Sequence, residues 1–183
     1  MRSWKLFLPF EGSPVISYCI TAGMATADRV ILVSGFKTEA LRAYITEQDL
    51  EEERLIFIEN RDYRTGMFSS IQTGMSCSKA EEIFILLADL PLITSQTLSD
   101  LLAYRRSCEN PADIIQPVYD GVPGHPVLVN SAAREIILSL PADSNMREVI
   151  SRCTYTQIPW HDPAIVSDVD TPEAYQRILE QRS

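Results

Sequence analysis

The sequence predicts a Rossmann-like α/β fold of three layers, in which a mostly parallel central sheet lies between helices. Short apolar runs alternate along the chain with segments whose apolar residues recur at helical spacing, which is the pattern of such sheets. Hydrophobic residues make up 45% and charged residues 22% of the chain, as in a folded globular protein. Its length of 183 residues suits one domain with a substantial core, so we treat residues 1–183 as a single domain.

The first third of the chain follows this alternation. Patterning predicts helices at residues 14–27 and 38–46 and strands at residues 29–33 and 55–58. Ser13 is the expected N-cap of the first helix, and Pro14 its first helical residue. The acidic run at residues 47–53 is interpreted as a solvated loop or helix end.

The apolar run that begins at Ile83 and ends in Asp89 and Pro91 is the centre of the predicted fold. It is typical of a parallel strand buried on both faces, although periodicity does not exclude a buried helical segment. Asp89 should then lie at the carboxyl edge of the sheet, where α/β proteins bind ligands. Asp89 could hold a metal ion or cap the next helix. We favour the metal, because Pro91 and Thr94 are better helix-start residues.

Residues 60–74 connect a predicted strand to a helix that should begin near Ser69. Gly66 has no side chain and lies just before this helix, so the N–H groups of the helix N-terminus are accessible there. Such N–H groups bind anions or polar ligand edges. The alternative is an ordinary connecting loop with a serine cap. The residues alone do not decide between these two interpretations.

The second half of the chain is predicted to continue the alternation. The expected helices are residues 94–107, 131–139, a short one ending near 152, and one after Pro172, and the expected strands are residues 113–119, 127–129, 155–158 and 165–166. The strand at 127–129 should return from 113–119 as a hairpin-like addition to the parallel sheet. His125 lies between Gly124 and Pro126 on a constrained loop, where binding groups are common. Asp170 lies where a strand gives way to a helix, so it either binds a ligand or complements the helix dipole.

Charge and cysteine usage limit the classes of function. The net charge of −9 argues against nucleic acid as a partner, but it allows a nucleotide substrate held by backbone N–H groups, a lysine and a metal. The four cysteines are far apart and lack C-x-x-C spacing, which indicates buried free thiols in a reducing compartment. We expect a cytoplasmic protein without a membrane partner, because no signal peptide or transmembrane segment is evident.

Several motifs occur together in a fixed order. They are Lys5-Leu-Phe-Leu-Pro-Phe, Asn60-x-x-Tyr63-x-x-Gly66-Met67-x-Ser69-Ser70-Ile71-x-x-Gly74, Leu87-Ala-Asp89-x-Pro91, Gly121-x-Pro-Gly-His125-Pro-Val-Leu128, Asp143-x-x-x-Arg147 and Asp168-Val-Asp170-Thr-Pro-Glu173-x-Tyr175. Their order and spacing resemble the MobA-like nucleotidyltransferases, and the Gly-x-Pro-Gly-His-Pro segment resembles the molybdopterin cytidylyltransferase branch. The resemblance covers nearly the whole chain. It implies a nucleotidyltransferase version of the predicted fold.

The resemblance also implies an activity. The family transfers a nucleoside monophosphate from a triphosphate to an acceptor phosphate and releases pyrophosphate, and here CTP and a molybdopterin-type acceptor are favoured. A molybdoenzyme or its chaperone would then be a partner. The implied roles are Mg²⁺ binding by Asp89 and Asp170, triphosphate neutralisation by Lys5, a nucleotide pocket formed by Asn60, Gly66, Met67, Ser69, Ser70 and Gly74, and an acceptor side formed by Gly124, His125, Pro126, Asp143 and Arg147.

The chain departs from the family pattern in two places. The family begins with a strand and the loop L-A-A-G-x-S-x-R-M-G-x-x-K; Met1 aligns with the methionine and Lys5 with the lysine, while Arg2 replaces the last glycine. We therefore expect that the natural chain begins upstream of Met1; the alternative is a true truncation repaired by a partner chain. The cytidylyl branch has G-D-x-G-A-R where this chain has residues 142–147 without either glycine, so the acceptor could differ. The loop that helps the family separate cytidine from guanosine is the one missing before Met1, so the base could differ as well. A non-catalytic accessory protein of a molybdoenzyme is the second hypothesis.

Overall fold

Two sheets form the middle layer of the protein, which a computed structural model describes at residues 4–48 and 53–180. The expectations for Met1, Arg2 and the middle of the acidic run lie outside the described residues. The strands are β1 (Pro9–Phe10), β2 (Ser13–Pro14), β3 (Val30–Ser34), β4 (Leu55–Glu59), β5 (Glu82–Ile85), β6 (Ile114–Tyr119), β7 (Val122–Pro123), β8 (Val127–Asn130) and β9 (Tyr155–Pro159). The α-helices are α1 (Val15–Thr26), α2 (Thr38–Glu47), α3 (Met67–Ser76), α4 (Ser95–Ser107), α5 (Ser131–Ser139), α6 (Met146–Ile150) and α7 (Pro172–Glu180). Short 3-10 helices lie at Lys5–Phe7, Tyr63–Thr65 and Pro163–Val166.

The larger sheet has the order β5-β8-β6-β7, and β9 pairs with β6 on its other side. β8 runs antiparallel to both β5 and β6, whereas β9 runs parallel to β6. β5, β6 and β9 therefore share one direction, and β8 is the reversed strand that returns from the β6–β7 hairpin. The smaller sheet pairs β3 with β4 in parallel, with Ile31 opposite Ile56. The predicted α/β class and the hairpin-like addition are confirmed.

Helices cover both faces of this layer. On one face α3 packs closely against β3, since a Cβ built on Gly74 would lie 3.2 Å from Cγ2 of Val33. On the other face Ile16 and Ile20 of α1 pack with Leu32 of β3. Successive residues of a strand point to opposite faces, so Leu32 and Val33 place α1 and α3 on opposite sides. The predicted three-layer arrangement is confirmed.

Several elements were predicted with the correct boundaries. α4 begins after Thr94, whose side chain accepts a hydrogen bond from the Thr97 N–H in a capping box. α7 begins at Pro172, and the hydroxyl of Thr171 accepts from the N–H of Ala174 at 3.1 Å. The cysteines are free thiols as predicted, but only Cys19 is buried, whereas Cys77 is exposed and Cys108 and Cys153 are partly buried. Within residues 4–48 and 53–180, no helix combines the length and the apolar character needed to cross a membrane.

Other predictions were wrong in detail. The segment 165–166 is not a strand but part of the 3-10 helix Pro163–Val166, because Asp162 accepts a hydrogen bond from the Ala164 N–H and Pro163 occupies the first position. α1 begins at Val15, with Pro14 as its N-cap residue and without a side-chain cap from Ser13. α3 begins at Met67 rather than at Ser69.

The central strand also differs from its prediction. β5 ends at Ile85, four residues before Asp89, and its described neighbour β8 runs antiparallel to it. All four residues of β5 are only partly buried, whereas Val127, Leu128 and Val129 of β8 are buried. β5 is therefore not a strand buried between two parallel neighbours.

Candidate active site

Asp89 lies in the turn that follows β5, directly before the buried residue Leu90. Its side chain is 13% exposed, and its Oδ2 accepts a hydrogen bond from the Lys5 ammonium. Its other oxygen, Oδ1, is buried and has no hydrogen-bond partner among the described residues. A buried carboxylate oxygen without a donor is costly. This oxygen therefore suits a cation that arrives with the substrate.

The Lys5 side chain connects the two ends of the chain at this turn. Its Nζ donates to Asp89 and also to Oδ1 of Asp170, 2.5 Å away. Burial acts to lower the pKa of Lys5, but hydrogen bonds and charges from Asp170 and Asp89 outweigh it and raise that pKa. Lys5 is thus a fixed cation between two carboxylates.

Backbone contacts hold the segment that carries Asp170 against the Asp89 turn. The N–H of Val169 donates to the carbonyl oxygen of Asp89 at 3.1 Å, and the Val169 side chain is fully buried. The N–H of Asp170 donates to Oδ1 of Asp168 at 3.3 Å. The two carboxylates are therefore aligned by the backbone and not only by Lys5.

Asp168 is a further carboxylate at this site that the sequence motif contained but that received no role in our prediction. Burial, together with the negative charges of Asp170 and Asp89, raises its pKa, against the opposing effects of the Asp170 N–H and Lys5. The signal was available in the motif itself, because Asp168 lies only two residues before Asp170.

His125 lies at the start of β8, near the end of β5. Its Nδ1 is 3.2 Å from the carbonyl oxygen of Ile85, so a neutral ring with a proton on Nδ1 donates to that oxygen. Burial lowers the pKa of His125, and the Ile85 carbonyl and the charge of Asp89 oppose this effect. The ring is thus a largely buried, neutral group close to the Asp89 carboxylate.

The residues on either side of His125 fix its backbone. Gly124 donates to the carbonyl of Pro117 at 2.8 Å, and His125 donates to the carbonyl of Ile165 at 2.8 Å. A Cβ on Gly124 would lie 2.7 Å from that Ile165 oxygen, so only glycine fits. The His125–Pro126 peptide bond is cis, and Pro126 is buried.

Asn60 organises the loop that precedes α3. Its Nδ2 donates to the hydroxyls of Ser69 and Ser70, both at 2.9 Å, and its Oδ1 accepts from the Asp62 N–H at 3.0 Å. Asn60 is 5% exposed and Ser69 also 5%, so their polar groups are used within the protein. Asn60 and Ser69 therefore stabilise the conformation of this loop, and other residues form its exposed surface.

The remaining residues of the predicted nucleotide pocket divide into exposed and packing positions. Met67 is 64% exposed at the start of α3, directly after Gly66, whose φ of +136° favours glycine. Ser70 is partly buried, and Gly74 packs against Val33. Met67 and the start of α3 can therefore face a ligand, while Gly74 serves the contact between α3 and β3.

The predicted acceptor residues Asp143 and Arg147 lie on the exposed segment around the start of α6. Asn145 caps this helix, accepting from the N–H groups of Arg147 and Glu148. No described contact joins Asp143 or Arg147 to Lys5, Asp89 or Asp170. The structure brings Lys5, Asp89, Asp168, Asp170 and His125 together and leaves these two residues apart from them.

The carboxylates fit a divalent cation that also binds substrate. The described residues contain no group of three or more His, Cys, Asp and Glu side chains placed to hold a metal by themselves. Mg²⁺ in nucleotide enzymes commonly uses one or two carboxylates and completes its coordination with phosphate oxygens and water. Asp89, with its unpartnered Oδ1, and the exposed Asp170 match that donor set.

Comparison with known proteins yields consistent matches. The family model described as the MobA-like NTP transferase domain matches residues 1–162. The chain is 25% identical over 175 residues to the molybdenum cofactor cytidylyltransferase of Escherichia coli K12, covering 96% of this chain and 86% of that protein.

Solved structures share the fold. A nucleotidyl transferase from Methanothermobacter thermautotrophicus matches with a TM-score of 0.78 at 16% identity, covering 97% of this chain and 84% of the other. Rv0371c of Mycobacterium tuberculosis in complex with manganese matches with a TM-score of 0.72 at 21% identity, covering 96% and 91%.

Proposed function

The chain belongs to the family of MobA-like NTP transferases, and from this membership we propose that it transfers CMP from CTP to a molybdopterin-type acceptor and releases pyrophosphate. The observation that carries the proposal is the contact of Lys5 with both Asp89 and Asp170 at the carboxyl edge of the sheet. This arrangement provides one fixed cation and two carboxylates where α/β proteins bind nucleotides. The similarity to a molybdenum cofactor cytidylyltransferase supports the choice of base and acceptor.

The reaction requires positioning and charge neutralisation more than covalent catalysis. An acceptor phosphate oxygen attacks the α-phosphorus of CTP, a new P–O bond forms, and the bond from that phosphorus to the bridging oxygen breaks to release pyrophosphate. Lys5 neutralises charge on the triphosphate from its position between the two carboxylates. The exposed start of α3 lines the nucleotide pocket, and His125 presents a neutral ring on the acceptor side.

Asp89 and Asp170 would hold a divalent cation, with Mg²⁺ proposed as the physiological ion. When bound, such an ion neutralises triphosphate oxygens and increases the electrophilicity of the α-phosphorus. Asp168 keeps Asp170 oriented through its hydrogen bond with the Asp170 N–H. The manganese complex of Rv0371c supports a divalent ion in a protein of this fold.

The test is a pyrophosphate-release assay with CTP, GTP, ATP and UTP, each with Mg²⁺ or Mn²⁺, in the presence and absence of molybdopterin. We expect release that depends on CTP, metal and molybdopterin, with the cytidylylated product identified by mass spectrometry. Asp89→Asn should abolish release while the protein remains folded. Asp28→Asn, which changes an exposed carboxylate elsewhere, is the matched control.

The other outcomes of the pyrophosphate-release assay would change the donor, the acceptor or the function itself. Release with another triphosphate only would replace CTP as the donor, and release without molybdopterin would replace the acceptor. No release with any triphosphate by a protein that still binds Mn²⁺ would reject the transferase and favour an accessory role.

A further inference from the structure

Gln116 is a polar side chain in the middle of β6, a strand that has neighbours on both sides. The adjacent residues Ile115 and Pro117 are buried, and Ile114, which shares the face of Gln116 on the sheet, is fully buried. A polar group in such surroundings costs free energy unless it forms hydrogen bonds. Gln116 is partly buried, and its amide has two hydrogen-bond partners within the protein.

The amide of Gln116 joins the side chain of Tyr155 to the loop that carries His125. Its Nε2 donates to the carbonyl oxygen of Gly124 at 3.0 Å, and its Oε1 accepts from the hydroxyl of Tyr155 at 2.8 Å. The reverse orientation of the amide would set its oxygen against the Gly124 carbonyl oxygen, so these contacts determine which way the amide lies. Tyr155 is on β9, where it pairs with Ile114 and therefore lies diagonally to Gln116 on the same face.

The Gly124 carbonyl belongs to the peptide group that leads into His125. The N–H of the same peptide group donates to the carbonyl oxygen of Ile165 at 2.8 Å, so Gln116 and Ile165 hold its two sides. Because Gly124 has no side chain, packing cannot fix this peptide group and its orientation depends on these hydrogen bonds. Gln116 is therefore one of the two residues that set the direction of the backbone at His125.

The direction of this backbone decides where the His125 ring lies. Nδ1 of His125 is 3.2 Å from the carbonyl oxygen of Ile85, and a neutral ring makes that hydrogen bond only with its proton on Nδ1. The other ring nitrogen, Nε2, then has no proton and is a hydrogen-bond acceptor. None of the residues that the structure describes bonds to Nε2, so this atom is available to a ligand.

We propose that Gln116 and Tyr155 are positioning residues that hold the His125 ring in the tautomer whose Nε2 accepts a hydrogen bond. Tyr155 acts through Gln116, whose amide it orients. The inference rests on the proposed function only in placing His125 beside the acceptor molecule. There Nε2 would recognise an N–H or O–H group of that molecule and not an ionised phosphate oxygen, which has no proton to donate.

Nitrogen NMR of the histidine ring tests this positioning without any substrate. In the His161→Gln background His125 is the only histidine of the chain. With isotope-labelled histidine, the shifts of Nδ1 and Nε2 report which nitrogen carries the proton at about pH 8, where a histidine of lowered pKa is neutral. We expect the ratio of the Nδ1–H form to the Nε2–H form to fall about fivefold in Gln116→Met, because the ring is no longer held against the Ile85 carbonyl. Tyr155→Phe keeps the aromatic ring and should lower the ratio about twofold.

The matched control is Gln157→Met. Gln157 pairs with Gln116 in the register of β9 and is exposed, so the same change there should leave the tautomer ratio of His125 as it is in the parent protein. The double variant Gln116→Met/Tyr155→Phe should match Gln116→Met alone, because Tyr155 then has no amide to orient.

Three results would overturn the proposal. One is an unchanged ratio in Gln116→Met or, if that variant does not fold, in Tyr155→Phe. Another is an equal fall in Gln157→Met. The third is a clearly larger fall in the double variant than in Gln116→Met, which would mean that Tyr155 acts on its own.

The transferase assay adds a readout that stability alone would not change. In an active protein Gln116→Met should raise KM for the acceptor about fivefold and leave KM for the nucleotide unchanged. An equal rise in both KM values would reject a specific effect on the acceptor side. Because the NMR measurements contain no substrate, failure of the proposed transferase activity would leave them unaffected.

Discussion

The N–H of Val169 donates to the carbonyl oxygen of Asp89 across 3.1 Å, which ties the last loop of the chain to the turn after β5. Through this bond the carboxylates of Asp89 and Asp170 meet on one cation, Lys5. The backbone therefore sets the geometry of the site, and the charged side chains of the site can be substituted one at a time.

Replacing Lys5 separates metal binding from turnover. We expect Lys5→Met to raise the affinity for Mn²⁺, because the ammonium no longer competes for the two carboxylates, and to reduce transferase activity, because the triphosphate loses its fixed cation. Mn²⁺ titration by electron paramagnetic resonance measures the affinity directly. Lys5→Arg and the exposed-site variant Lys79→Met are the controls. A weaker Mn²⁺ affinity in Lys5→Met would show that Lys5 supports the metal site instead of competing with the ion.

His125 should make stability depend on pH. Its folded-state pKa is lowered, mainly by burial, so its neutral form favours the folded protein above the ordinary histidine value of 6.5. This contribution is lost as the pH falls below 6.5 and through the lowered folded value. We expect the free energy of unfolding to decrease between about pH 7.5 and pH 5, and His125→Gln to reduce that decrease.

The second histidine of the chain provides the comparison for this measurement. His161 is exposed, and His161→Gln is the matched variant against which His125→Gln is compared in urea unfolding at each pH. Equal slopes for wild type and His125→Gln would exclude His125 as the cause.

Much of the fold could be predicted from local sequence, and the site only in part. Thr94 and Thr171 were sufficient to position α4 and α7, because a cap depends on residues three positions apart. The burial of β5 depends on which strands lie beside it, and no local pattern contains that information. The apolar pair Ile165 and Val166 predicts a strand wrongly, because so short a run has no period; the start signals at Asp162 and Pro163 favour the 3-10 helix.

Gly124→Ala should destabilise the loop that carries His125. The added Cβ would lie 2.7 Å from both the carbonyl oxygen and the Cδ1 of Ile165, so the loop must move. We expect a loss of about 1–3 kcal/mol in the free energy of unfolding, measured with urea. Ile165→Val removes Cδ1 but not the oxygen, so adding it to Gly124→Ala should relieve the crowding only partly. Unchanged stability in the single variant would show that this loop adapts freely.

Asn60→Ala should lower the free energy of unfolding and should change the affinity for the nucleotide much less. The change removes the donor to Ser69 and Ser70 and the acceptor for the Asp62 N–H, while the Ser69 hydroxyl keeps its bonds to the carbonyls of Gly66 and Asp62. We expect a loss of about 1–3 kcal/mol in the free energy of unfolding. Asn60→Asp keeps the acceptor and should lose less. Normal stability with a large loss of CTP affinity by calorimetry would instead assign Asn60 directly to the nucleotide.

The contacts of Lys5 span 84 residues to Asp89 and 165 residues to Asp170, nearly the whole polypeptide. Contacts between such distant positions form late in folding, because closing a long loop costs entropy before any contact compensates it. During synthesis Lys5 leaves the ribosome 165 residues before Asp170, so a nascent chain carries most of its core before these charges can meet. The three charges of the candidate site can therefore come together only after Asp170 has been synthesised.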